Sequence, residues 1–116
     1  MYAFSLFILE RKHEMKVFLS HPMHGYSEAE VMALREDAIE KLKPIYGEGI
    51  TIIDNYHHGD APENAGRVWH LGKSIQMMSE ADLVVFCNGW AWATGCVIEQ
   101  GICNQYNLPT VYLSDL

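Results

Sequence analysis

The sequence is short of what several common function classes require. Its 8 Lys and Arg residues face 15 Asp and Glu, a formal charge of -7. The basic residues do not cluster, so a phosphate backbone is repelled and nucleic acid is not an expected partner. Cys87, Cys96 and Cys103 form no Cys-x-x-Cys pair. An odd, scattered set signals neither a disulfide framework nor a zinc knuckle and reads as buried thiols of a reducing cytoplasm. The opening run from Met1 to Leu9 is apolar but far shorter than a membrane span, and it has neither a basic leader nor a small-residue cleavage site. No membrane partner and no targeting signal are expected. There is no Gly-x-x-x-x-Gly-Lys-Ser, no Gly-x-Gly-x-x-Gly after a strand and no Gly-x-Ser-x-Gly elbow. The P-loop, dinucleotide and serine-hydrolase readings fall with them, and no cofactor is expected.

What is there suits one globular domain. The 116 residues are 49% hydrophobic and 20% charged, enough to bury one core and too few for two. Met15-Lys16 immediately precedes the first convincing strand. The domain is therefore set at residues 15–116, with residues 1–14 either an extension outside the core or an added edge strand.

Lys16 to Ser20 is a β-rich apolar run stopped by His21-Pro22. Ser27-Glu-Ala-Glu30 has the form of a capping box, and Val31, Leu34, Ala38, Ile39 and Leu42 follow at helical spacing to near Pro44. Ile50 to Ile53 reads as a second strand, and Asp54 to Asn64 as a long polar loop. A helix is predicted from about Gly66 through Met78, then a strand over Leu83 to Cys87 that is apolar throughout, as a strand covered on both faces should be. A last helix over Gly95 to Tyr106 and a strand over Thr110 to Leu113 complete a β-α-β-α-β-α-β order. Right-handed crossovers then give a small doubly wound parallel sheet of flavodoxin or Rossmann-like type, order 2-1-3-4, flanked by helices.

Such sheets bind ligands beyond the carboxyl ends of their strands, where the winding reverses. Here that point brings together Ser20-His-Pro-Met-His-Gly25 and Asn88-Gly-Trp-Ala-Trp-Ala-Thr-Gly95. The expected ligand-binding residues are Ser20, Pro22, Met23, Gly25 and Tyr26 from the first loop, and Asn88, Gly89, Trp90, Thr94 and Gly95 from the second. Tyr26, Trp90 and Trp92 offer flat surface for a base or sugar, or simply cover the sheet edge. Gly95 opens a helix whose free amides and positive end suit an anion or carboxylate, and Glu99 lies about one turn in, where the dipole favours its charged form. It is a candidate nucleophile. A metal centre is a weaker rival: His21, His24, Asp54, His57, His58 and Asp60 lie in loops after the first two strands, but in no established ligand spacing. No metal is expected, and His13 and His70 carry no signal.

Lys-Val-Phe-Leu-Ser-His-Pro-Met-His-Gly, then Ala81-Asp82, Gly89-Trp90, Gly95-Cys96 and Glu99, resemble in order the nucleoside 2-deoxyribosyltransferase-like superfamily, and most nearly its phage and bacterial branch. The resemblance spans about residues 16 to 113. It implies a cytoplasmic homo-oligomer acting on a small-molecule nucleoside or nucleotide, with Glu99 attacking the anomeric carbon and water or a second base resolving the glycosyl-enzyme. Trp69, Met77 and Met78 are the apolar residues expected at the surface for self-association. The sequence departs from the superfamily at Ser74, where the characterised enzymes carry an Asp; Ser74 can hydrogen-bond and is an expected ligand-binding residue, but it is no general acid at neutral pH. The sequence departs again at Ala93, beside Thr94, where nucleotide-preferring relatives place a phosphate-binding Ser, and at Ser20-His21, where the branch favours a small residue followed by Gly. His21 or His24 is the candidate replacement for the missing acid, since imidazole titrates near neutrality. The alternative is a non-catalytic nucleotide-binding or sensing module of the same fold.

Overall fold

The computed structural model describes residues 15–116, so the expected extension over residues 1–14 lies outside the described residues. The elements are β1 (Lys16–Ser20), α1 (Glu28–Tyr46), β2 (Thr51–Ile52), α2 (Arg67–Met78), β3 (Leu83–Phe86), α3 (Thr94–Tyr106) and β4 (Thr110–Tyr112), with short 3-10 turns at Trp90–Trp92 and Leu113–Asp115. All strand pairs are parallel and the order is β2-β1-β3-β4. The α/β sheet read from the sequence is the observed one. Among the described residues no helix is long and apolar enough to cross a membrane.

Two boundaries differ for local reasons. The capping box closes as written, Glu30 N–H donating to Ser27 Oγ and Ser27 N–H to Glu30 Oε1, but α1 runs two residues past Pro44. In the last turn the missing proline N–H removes only one helical bond. The helix stops at Gly47, whose φ of 98° is accessible to glycine and whose N–H reaches Lys43 O at 2.8 Å. β2 is two residues rather than four, although Ile53 N–H still donates to Val17 O at 2.9 Å.

Alternate residues of β1 and β3 divide the core. Val17, Leu19, Val85 and Cys87 pack against Ala38 and Leu42 of α1, while Phe18, Val84 and Phe86 pack against Met78 of α2 and Cys103 of α3. Met78 is 2% exposed and Met77 packs on the same cluster. These two are core, not the surface apolar residues expected; Val68, Trp92 and Tyr106 are the most exposed large apolar residues among those described.

The buried face of α1 contains one charge. Val31, Arg35, Ala38 and Leu42 share that face, and among the described residues the Arg35 guanidinium has no carboxylate at hydrogen-bond distance. It donates instead to Asn55 Oδ1 at 2.8 Å, to Ile53 O at 3.1 Å and to His21 Nε2 at 3.0 Å. Asn55 Nδ2 in turn donates to Leu19 O at 3.0 Å. One side chain thus ties α1 to the chain leaving both β1 and β2. Replacing Arg35 with Met keeps the apolar stem but leaves His21 and Asn55 without their donor, so Arg35→Met should lower the unfolding free energy by about 2–4 kcal/mol. Removing the α1 cap by Ser27→Ala should cost about 1 kcal/mol. Urea unfolding of both variants checks the ranking, which fails if the cap matters more.

Candidate functional site

The site begins where β1 and β3 end. Their register pairs Ser20 with Phe86, and Cys87 N–H carries the ladder one residue further by donating to Ser20 O at 2.9 Å. The two following loops then meet at Gly89. Its φ is 88°, and a Cβ there would lie 3.2 Å from Pro22 Cγ and 3.9 Å from the Tyr26 hydroxyl. Glycine is needed both for the backbone and for the approach.

A cavity of about 700 Å³ opens above this junction. From the first loop it is lined by His21, Pro22, Met23, His24 and Tyr26, and from the second by Gly89, Thr94 and Gly95. Glu99 of α3 and Ser74 of α2 also line it. The expected residues converge with four exceptions. Ser20 does not line the cavity and acts on it through Glu99 and Cys96. Gly25, at φ 83°, lies within the turn closed by Tyr26 N–H on Met23 O. Asn88 is exposed outside the cavity. Trp90 turns into the core, 5.4 Å from the ring centroids of both Phe86 and Tyr112. The aromatic surfaces left at the cavity are Tyr26 and the 92% exposed Trp92.

Glu99 sits with Cys96 and Cys103 on the buried face of α3 and is only 6% exposed. The Ser20 hydroxyl donates to its Oε1 at 2.7 Å. Burial pushes the Glu99 carboxyl up to about 7, while the Ser20 and Ser74 hydroxyls pull the other way. The helix end was expected to keep this group ionised, but six residues beyond the Ala93 N-cap desolvation outweighs the dipole, which acts within the first turn. The neighbouring Cys96 thiol is pushed up to about 11, again by burial first.

His21 is a correction of a different kind. Its Nε2 accepts from Arg35, its Nδ1 donates to Pro22 O at 3.2 Å, and burial lowers its pKa to about 4. A neutral ring with both nitrogens engaged has no proton to give at neutral pH. His24 is exposed on the cavity wall and makes no side-chain hydrogen bond to the described residues. Among the described residues no three His, Cys, Asp or Glu side chains converge as metal ligands. His57 pairs with Asp54 at 3.0 Å, and His58 Nδ1 lies 2.8 Å from His70 Nδ1 with the rings stacked.

Residues that the sequence does not mark as ligand-binding also line the cavity. Arg67, His70 and Leu71 enter it from α2 and Tyr56 from the loop after β2, together with His58, a metal candidate in the sequence that lines the cavity instead. One signal was present: Arg67, His70, Leu71 and Ser74 fall at i, i+3, i+4 and i+7, so the helix face that carries Ser74 also carries the others. In comparisons with known proteins the chain matches no family model, no curated protein and no solved structure.

Opposite shifts at Glu99 and His21 give a pH test. Between about 4.5 and about 7 the folded state holds a proton on Glu99 that the unfolded state releases, so Glu99 lowers stability as pH rises through that window. His21 acts in reverse: it resists protonation in the fold, so its contribution lowers stability as pH falls from about 6.5 to about 4. Glu99→Gln removes the first effect alone. The variant should gain stability relative to the parent as pH rises from about 4.5 to about 7, by on the order of 3 kcal/mol, and the difference should then level off. Urea unfolding across pH 4 to 8 measures it, and a pH-independent difference refutes the raised carboxyl.

Proposed function

We propose that the protein is a nucleoside or nucleotide N-glycosidase, or a 2-deoxyribosyltransferase-like enzyme, with Glu99 as its nucleophile. The observation that carries this reading is the buried Glu99 carboxyl, held by Ser20 at 2.7 Å at the edge of a roughly 700 Å³ cavity beyond the carboxyl ends of β1 and β3. That volume suits a nucleoside-sized ligand. The motif resemblance supplies the reaction class.

In this reading a Glu99 oxygen attacks the anomeric carbon, and the bond from that carbon to the base nitrogen breaks with its electron pair going to the base. The base takes a proton from His24, which is free to turn toward it. Water, or a second base, then attacks the same carbon and displaces Glu99, so the sugar leaves with overall retention. Tyr26 and Trp92 stack against the base. The reading extends to a cytoplasmic protein of phage or bacterial origin that works as a homo-oligomer.

One observation favours the second reading, a nucleotide-sensing module. Glu99 is the only carboxylate among the described residues lining the cavity, since Ser74 stands on the facing wall and His21 is held neutral. A leaving base then depends on the exposed His24 alone.

Incubation with deoxynucleosides and their monophosphates, with and without an acceptor base, separates the two. Base release should fall at least about 100-fold in Glu99→Gln, since a nucleophile has no substitute in an amide. Activity should rise with pH through about 7 as Glu99 ionises. Ser20→Ala, which removes a hydrogen bond to the charged form, should move that rise to higher pH. Binding without base release in the parent establishes the module instead.

A further inference from the structure

The cavity wall is poor in the acidic residues that dominate the chain. Overall there are 15 acidic and 8 basic residues, yet the lining contains one carboxylate, Glu99, against the fixed charge of Arg67; of the imidazoles there, burial holds His21 and His58 toward the neutral form. Arg67 makes no salt bridge or side-chain hydrogen bond among the described residues. The nearby Lys73, by contrast, is tied to Asp60 at 2.7 Å. Among the described residues Arg67 is thus a fixed positive charge at the cavity with no side-chain partner, available to an anion that arrives with the ligand.

The helix α2 sets where that anion lies. Ser74 stands beside Glu99, and Arg67 is on the same helical face seven residues earlier, about 10 Å along the axis at 1.5 Å per residue. His70 sits between them, joined to His58 through the 2.8 Å contact of their Nδ1 atoms. Less the reach of the arginine side chain, this separation matches a group one carbon beyond a sugar ring whose anomeric carbon is at Glu99. A phosphate monoester fits the donors better than a carboxylate: the guanidinium presents five N–H groups in a fork, His70, its Nδ1 held by His58, can add one more through Nε2, and the monoester brings three acceptor oxygens and up to two charges.

We propose that Arg67, with His70 and His58, forms a phosphate-monoester subsite, making the preferred ligand a nucleoside 5′-monophosphate rather than the free nucleoside. The placement of the sugar rests on the glycosidase reading; the charge argument does not. The subsite is built from α2 and the loop after β2.

Dissociation constants of the 2′-deoxynucleosides and their 5′-monophosphates, measured by calorimetry on the intact chain at one pH and low salt, test the subsite. The parent should bind the monophosphates at least about tenfold more tightly. Arg67→Gln should remove most of that preference while leaving nucleoside affinity unchanged, and His70→Gln should remove part of it. Arg67 is exposed, so its variant should unfold at the same urea concentration as the parent. Equal affinities in the parent, equal weakening of both ligands by Arg67→Gln, or binding of neither ligand overturns the subsite. Base release measured on the same samples separates the two ideas. A monophosphate preference that depends on Arg67 without any base release sinks the glycosidase reading and leaves the subsite standing. Release from both ligands that is indifferent to Arg67 does the reverse.

Discussion

A single buried guanidinium holds the upper half of this molecule in place. Arg35 projects from the apolar face of α1 and finds carbonyl, amide and imidazole acceptors in the chain leaving β1 and β2. Because a guanidinium stays charged when buried, burial without these acceptors would be severely unfavourable, so the acceptors are positioned as strictly as the charge. His21 is one of them, and its other nitrogen bonds Pro22 O, so the start of the first cavity loop is set by a contact that begins on the opposite face of the sheet. The shape of the cavity near Pro22 and Gly89 follows from that anchoring.

Burial then assigns different states to two neighbouring ionisable groups. His21 and Glu99 are 3% and 6% exposed, and desolvation disfavours the charged form of each. For the imidazole this gives a ring that is neutral at neutral pH, with a structural task. For the carboxyl it gives a group poised close to neutrality, with Ser20 as the hydrogen-bond donor that favours ionisation. Neighbours in one cavity rim thus divide between architecture and chemistry without a change of residue class.

The parallel sheet was readable because each strand is a short apolar run and each helix has its own periodicity; both loops at the switch point follow from strand order alone. Glu99 and most of the first loop line the cavity in keeping with that order, while Ser74, which also lines it, was singled out by the resemblance. The turn of Trp90 into the core was not legible, since nothing local distinguishes a loop aromatic that faces a cavity from one that turns back onto Phe86 and Tyr112. The role of His21 depends on Arg35, which is 14 residues away. An arginine in the stripe formed with Val31, Ala38 and Leu42 was a visible anomaly, but its acceptors at Ile53 and Asn55 come from another strand. Arg67 and His70 needed only the helical step back from Ser74, whereas His58 reaches them from a loop that carries no periodicity.

The central pairing of the sheet joins residues far apart in the chain: Val17 lies beside Leu83, and Lys16 N–H reaches Asp82 across 66 positions. Non-local parallel pairing of this kind is slow to form, because the intervening loop must be closed before any contact rewards it. During synthesis β1 emerges before β3, and while α1 can cover Val17 and Leu19, Phe18 packs on elements that are made later. The cavity is therefore among the last features of the molecule to exist, and a ligand can first be held when the chain has been made at least as far as Glu99.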